Sequence, residues 1–132
     1  MLLPNLAEGT GPFPGRPYQW VNGSGVSTHE RWAAVCIYLA LMTDTCLELI
    51  GAGGPVLVEG PFAANPVYLS ALRSITCRHV LAVDGSTGTA QGAALLAGTR
   101  IQRNERLAMP LPQVEIERYR DSWHNRAKRL ST

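Results

Sequence analysis

Between Trp32 and Ile50 the apolar residues Trp32, Val35, Cys36, Leu39, Met42, Cys46, Leu49 and Ile50 recur at helical spacing. Ala33, Ala34, Ile37, Tyr38 and Leu41 fill the other sides, so the pattern predicts a long helix buried nearly all round in its middle. Ser27-Thr28-His29-Glu30 fits a capping box at its start. Gly51 and Gly53-Gly54 supply its stop. The period then changes. A short apolar run, Pro55–Glu59, reads as a buried strand that Gly60-Pro61 ends. Asn65-Pro66 reads as an N-cap with proline at the first position of a helix over Pro66–Thr76. A second strand, His79–Val83, leads through Asp84-Gly85-Ser86-Thr87-Gly88 into a helix over Thr89–Leu96.

Two consecutive strand–helix units favour parallel strands with right-handed crossovers. Two strands alone do not make a stable sheet, and nothing upstream reads as a further strand. The pattern therefore predicts an α/β core over 27–98 that is part of a larger domain. Residues 1–26, rich in Gly, Pro and Asn, read as an extended opening segment that buries little on its own. Residues 99–113, with Pro110 and Pro112, read as a polar linker. Residues 114–132 read as an amphipathic helix with Ile116, Tyr119, Trp123 and Leu130 as its packing stripe.

Composition sharpens this picture. The chain has 132 residues, 45% hydrophobic and 17% charged, which is apolar for one short domain and predicts faces that something else covers. A formal charge of +2 is too small to make nucleic acid the main partner. Arg118, Arg120, Arg126, Lys128 and Arg129 alternate with Glu115, Glu117 and Asp121, the pattern of a solvated helix face. Cys36, Cys46 and Cys77 are odd in number and sit in apolar segments. They read as reduced, buried thiols of a cytoplasmic protein. The start MLLPNLAEG lacks a basic leader region. The apolar run inside Trp32–Met42 is too short to span a bilayer, so no membrane partner is expected.

Candidate chemistry is concentrated at two turns. A strand feeding a helix through glycine, as at Gly60–Asn65, is where α/β proteins place ligands and also how they merely change direction. The loop from Asp84 to Gly92 exposes backbone N–H groups beside a helix start, which suits an anion or a ribose hydroxyl. Equally, Gly92 and Ala93-Ala94 suit close packing in a tight connection. No phosphate-binding GxxxxGK[ST] occurs, and a loop of small residues alone is weak evidence. His29, His79 and His124 are far apart, with no acid at ligand or triad spacing. Asp44, on an otherwise apolar helix, reads as a local hydrogen-bonding group or one that faces a partner domain, not a catalytic one.

The order of these features carries a resemblance. A capped long helix, a strand, Gly60-x-x-x-x-Asn65-Pro66, a helix, a strand, a small-residue loop and then GTAQGAALLAG resembles the C-terminal domain of the FGGY carbohydrate kinases. The likeness covers Ser27 to Gly98, extends into LLPNLAEGTGPFPG and takes in the closing helix. It implies a ribonuclease H-like, actin-like ATPase fold and an enzyme that moves the γ-phosphate of ATP to a sugar or polyol. It also implies that the turn Gly60, Pro61, Phe62 and Asn65 lies against adenosine, with Ser86 and Thr87 closing the nucleotide pocket from the other side. Gly60 and Asn65 match the family frame, whereas Pro61 and Phe62 stand where small residues are usual. Phe62 either stacks on adenine or fills its space.

The same resemblance places the catalytic aspartate, the phosphate-binding turns and most sugar contacts in parts absent from this sequence. Asp84-Gly85-Ser86-Thr87 is similar to the first phosphate turn, but its place before the last small-residue helix argues against that identity. Phosphoryl transfer depends on positioning and charge stabilisation. The expectation is therefore a nucleotide-side portion with no catalytic or metal-ligating residue of its own. ATP and Mg²⁺ would serve the complete enzyme, the sugar would reach it through the missing N-terminal part, and self-association or a partner chain would cover the apolar faces. The competing expectation is a non-catalytic α/β module that docks a partner protein.

Overall fold

Ser27 starts the longest element in the computed structural model, which describes residues 1–7, 9–15, 17–84, 88–99 and 104–129. The Ser27 hydroxyl accepts the Glu30 N–H at 3.3 Å, and the Glu30 carboxylate accepts the Ser27 N–H at 2.8 Å. The Ser27 hydroxyl also donates to that carboxylate at 2.7 Å, and this bond, together with the one from the Ser27 N–H, favours the charged form and holds the Glu30 carboxyl below its usual range. Helix α1 then runs over Thr28–Leu49. It ends where Gly51 takes φ +64. There the Gly51 N–H reaches Glu48 O and the Ala52 N–H reaches Leu47 O, a Schellman closure.

The two strand–helix units form as the pattern predicts. Strand β3, Val56–Val58, pairs in parallel with β4, Val80–Asp84, in the register Val56↔Val80 to Val58↔Ala82. Helix α2, Pro66–Thr76, connects them, and α3, Gly88–Leu96, follows β4. Helix α2 is the hub, touching β4, α1 and α4. Its Tyr68, Leu69, Ala71, Leu72, Ser74 and Ile75 are all buried. Each fully buried large apolar side chain contributes about 1.5–3 kcal/mol.

Three expectations need correction. The sheet is not limited to two parallel strands. Asn104–Leu107, inside the segment read as a linker, forms β5 and pairs antiparallel with β4 from Leu81↔Leu107 to Asp84↔Asn104. All four of its residues are exposed, and charge on an edge strand blunts further pairing while hiding the apolar alternation that would announce it. The opening segment, expected to bury little, supplies Leu2 and Leu3 to the core. These residues form β1, Leu2–Leu3, paired antiparallel with β2, Gln19–Trp20. The thiols, finally, are all free, but only Cys36 is buried; Cys46 and Cys77 are exposed. Cys77 caps α2 in a left-handed surface turn, and α1 outruns its cover from Cys46 onward.

That uncovered end leaves Leu49 and Ile50 70% and 75% exposed, and Trp32 lies half exposed at the other end of the predicted stripe. The middle is better covered but not buried all round: from Ala33 to Thr45 only Cys36, Tyr38, Ala40, Leu41 and Asp44 are buried, and the other positions are half-buried. By length and composition α1 could cross a membrane, which the shorter run Trp32–Met42 did not suggest. Here α2 packs along it, and Cys36, Tyr38, Ala40 and Leu41 lie in the core. Gly92 has nothing within 4 Å of an added Cβ, so α3 does not use it for close packing.

Helix α4, Gln113–Arg129, closes the molecule. Ile116, Trp123 and Ala127 are buried and Tyr119 packs beside them, while Leu130 of the predicted stripe lies outside the described residues. Trp123 is fully buried, and its Nε1–H donates to Leu2 O at 2.8 Å. Phe13 and Tyr38 meet its ring edge-on at 5.7 and 6.5 Å. Asp44 is buried where α1 faces α4. Burial, and next the Glu48 carboxylate, push its carboxyl up to about 6 against the pull of Arg120 and Arg78.

Trp123→Phe keeps most of the apolar volume but orphans the Leu2 carbonyl, and should lower stability by about 1–3 kcal/mol in urea denaturation. Trp123→Ala should cost about 3–5 kcal/mol. Because the native Asp44 carboxyl binds its proton more tightly than the unfolded one, its stabilising contribution is full below pH 3.8 and is lost as pH rises through about 6. Asp44→Asn should therefore stabilise the protein at pH 7 by about 1 kcal/mol after solvent screening, with the gain vanishing near pH 4 in urea titrations.

Candidate functional site at the glycine turn

The carboxyl ends of parallel strands are where α/β sheets meet ligands, and here β3 ends in an unusual turn. Glu59 continues extended at φ −117, ψ 168. Gly60 then takes φ +71, a left-handed conformation that costs a residue with a Cβ roughly 1 kcal/mol or more. A Cβ added there would meet nothing within 4 Å, so backbone conformation and not packing demands the glycine. Open space lies beside it.

Gly60–Ala64 forms one turn of 3-10 helix with Pro61 at its start. Proline fits because its ring presets φ and its missing N–H needs no partner there. Ala63 is buried, and its carbonyl accepts from Arg106 Nη2 of β5 at 3.1 Å. The Phe62 ring is 46% exposed and leans on Tyr68 with centroids 5.1 Å apart. Tyr68 in turn places its hydroxyl 3.0 Å from the Thr43 hydroxyl on α1. The aromatic face of this turn is thus held from behind and open in front.

Asn65 is the N-cap of α2. Its Oδ1 accepts the Tyr68 N–H at 3.0 Å, its backbone N–H donates to Phe62 O at 3.1 Å, and its Nδ2 lies 3.4 Å from the buried Cys36 sulfur. Its polar groups are engaged within the fold, which makes it a positioning residue for the turn. The structure thus brings Gly60, Pro61, Phe62 and Asn65 together in one strand–turn–helix corner. Ser86 and Thr87, the expected opposite wall, lie outside the described residues.

Two residues of the corner were missed in the sequence. Glu59 Oε2 accepts the Gly88 N–H at 3.2 Å, joining the end of β3 to the start of α3. A carboxylate wedged between an apolar strand and a glycine is a legible signal in retrospect. Arg106 gave none, because its stretch carries no strand pattern. The histidines stay apart, at the start of α1, before β4 and on α4, and burial lowers His124. Among the described residues no three His, Cys, Asp or Glu gather as a metal site. An open cleft of about 920 Å³, lined by Gln19, Trp20, Asn22, Arg118, Asp121 and Arg126 among others, shares no residue with the corner.

The family profile described as carbohydrate kinase FGGY, C-terminal domain, matches residues 1–106. The chain belongs to this family. The match takes in the opening segment as well as the α/β core, and with it the ribonuclease H-like fold is shown. The crystal structure of a carbohydrate kinase from Novosphingobium aromaticivorans superimposes on the whole chain with a TM-score of 0.87 at 33% identity. The chain spans 28% of the length of that kinase. No curated protein matches it. Within this FGGY domain the Gly60 corner stands at the end of the parallel pair, with Arg106 and Tyr68 as its props.

Replacing Asn65 with Ala should remove the α2 cap and cost about 1 kcal/mol in urea denaturation. Hydrogen exchange in the first turn of α2 should quicken, whereas Asn65→Asp should retain most of the protection.

Proposed function

We propose that the chain is the nucleotide-side portion of an ATP-dependent sugar or polyol kinase, in which the complete enzyme passes the γ-phosphoryl group of ATP to a sugar hydroxyl. The observation that carries this reading is the left-handed Gly60 turn, open on one flank, at the carboxyl end of the parallel pair in an FGGY C-terminal domain. Gly60 lets backbone come close to a flat ligand, Pro61 stiffens the turn, and Phe62 offers a ring face to a base. Asn65 sets where the turn stops. Ser86 and Thr87 are assigned to the far side of the pocket.

An exposed aromatic face and a bare backbone turn fit the nucleoside end of ATP better than its triphosphate, since no cationic side chain stands in the turn itself. Bound ATP supplies the phosphoryl group, and its Mg²⁺ neutralises phosphate charge. The proposal gives this chain no Mg²⁺ ligand and no proton-abstracting residue. Both roles, with sugar binding, fall to the remainder of an enzyme of which this chain would be about a quarter, judged by the 28% of the Novosphingobium kinase it spans. Leu49, Ile50, Leu57 and Leu96 are exposed apolar side chains. They are assigned to contacts with that remainder, which places the kinase reading ahead of a free-standing docking module. A cytoplasmic location follows from the use of ATP.

Calorimetric titration with ATP-Mg²⁺ tests the reading. Heat consistent with a dissociation constant in the millimolar range or tighter is expected, and silence at millimolar nucleotide removes the nucleotide wall from this chain. In a complete enzyme carrying this domain, Gly60→Val should raise KM for ATP about tenfold while KM for the sugar moves less than about twofold. An unchanged KM for ATP counts against the site.

A further inference from the structure

We propose that Glu59 recognises ribose, its carboxylate accepting hydroxyl protons of a bound nucleoside while also holding the start of α3. The inference rests on the nucleotide reading above and names the group that would select its ligand. Glu59 sits at the carboxyl end of β3, one residue before the Gly60 turn, and its side chain is exposed. It occupies the N-cap position of the 3-10 turn yet makes no side-chain bond to it. Instead the carboxylate crosses to α3, where Oε2 takes the Gly88 N–H at 3.2 Å. A Cβ on Gly88 would stand 2.9 Å from Oε2, so the carboxylate lies directly against the backbone there and would shift aside for a larger residue.

The chemistry of that arrangement is specific. A carboxylate is an acceptor with several lone-pair sites, and one Gly88 N–H uses only one of them. The farther oxygen, Oε1, lies 3.8 Å from the same Cβ position and makes no hydrogen bond among the described residues. Neutral donors such as a vicinal pair of hydroxyls suit it. A phosphate does not, because a negative charge already occupies the N-terminus of α3 and repels a second. The Phe62 ring, three residues along the same turn, offers a base a face while Glu59 meets the sugar. Phosphate is thereby directed away from this corner and the nucleoside end toward it.

The test compares adenosine with 2′,3′-dideoxyadenosine on the 132-residue chain by calorimetry, in wild type, Glu59→Ala and Glu59→Gln. Wild type should bind adenosine about tenfold more tightly, the scale of a hydrogen bond to a charged acceptor. In Glu59→Ala the two affinities should fall within about twofold of each other, dideoxyadenosine being little changed. Glu59→Gln keeps a carbonyl oxygen for Gly88 but loses the charged acceptor and should narrow the ratio, so an unchanged ratio in this variant overturns the proposal even if the alanine variant fails to fold. A purely structural latch would weaken both nucleosides together and leave their ratio intact; that result overturns the proposal. Equal binding of the two nucleosides by wild type overturns it alone, whereas binding of neither overturns the nucleotide reading as well.

Discussion

One indole ring ties the two ends of this chain together. Trp123, fully buried, donates its only N–H to the carbonyl of Leu2, a bond spanning 121 positions. Around it converge the opening segment through Phe13, α1 through Tyr38 and α4 itself. Tryptophan suits this place because it combines a large apolar area with a single donor that must find a partner when buried. The ribbon of β1 and β2 is only two residues long in each strand, and it rests on α1 as well as on α4. The amino-terminal ammonium and the Met1 carbonyl add a clasp by bonding to both backbone groups of Val21.

The glycine corner depends on a second set of long-range contacts. Its conformation is local, set by Gly60 and Pro61, but its position is not. Arg106 from β5 holds the Ala63 carbonyl, Tyr68 braces Phe62, and Cys36 of α1 lies under Asn65. Three elements thus fix one turn, which is how a loop can carry an open ligand surface and still be ordered. Glu59 extends the frame to α3, an element with only Gln91 buried among its described residues.

The distribution of exposed apolar side chains complements membership of a kinase family whose solved representative is far longer than this chain. Leu49 and Ile50 are exposed at the end of α1, and Leu96 stands 93% exposed at the end of α3. Among the described residues, strand β3 pairs only with β4, which leaves its other edge without a neighbour. A parallel strand with an unpaired edge and the half-exposed Leu57 is uncommon in a finished sheet, where parallel strands are covered on both faces.

Local rules made much of this readable from the sequence. The capping box at Ser27, the Asn65-Pro66 start of α2 and the glycine after β3 each act through neighbours a few residues away, so their outcome is written in adjacent letters. Helical and strand periods placed α1, α2, β3, β4 and α4 for the same reason. Order and spacing of those elements were also enough to suggest the family. What needed the folded chain was every choice made by distant partners. Leu2 and Leu3 look like part of a loop until Trp123 offers an indole. Asn104–Leu107 looks like a linker until β4 offers an edge, and Cys46 looks like core until the folded chain leaves it exposed. Glu59 and Arg106 took on roles at the corner in the same way, through Gly88 and Ala63, lying 29 and 43 positions away. Burial and long-range hydrogen bonds are properties of pairs, and a single position in the sequence carries only half of each.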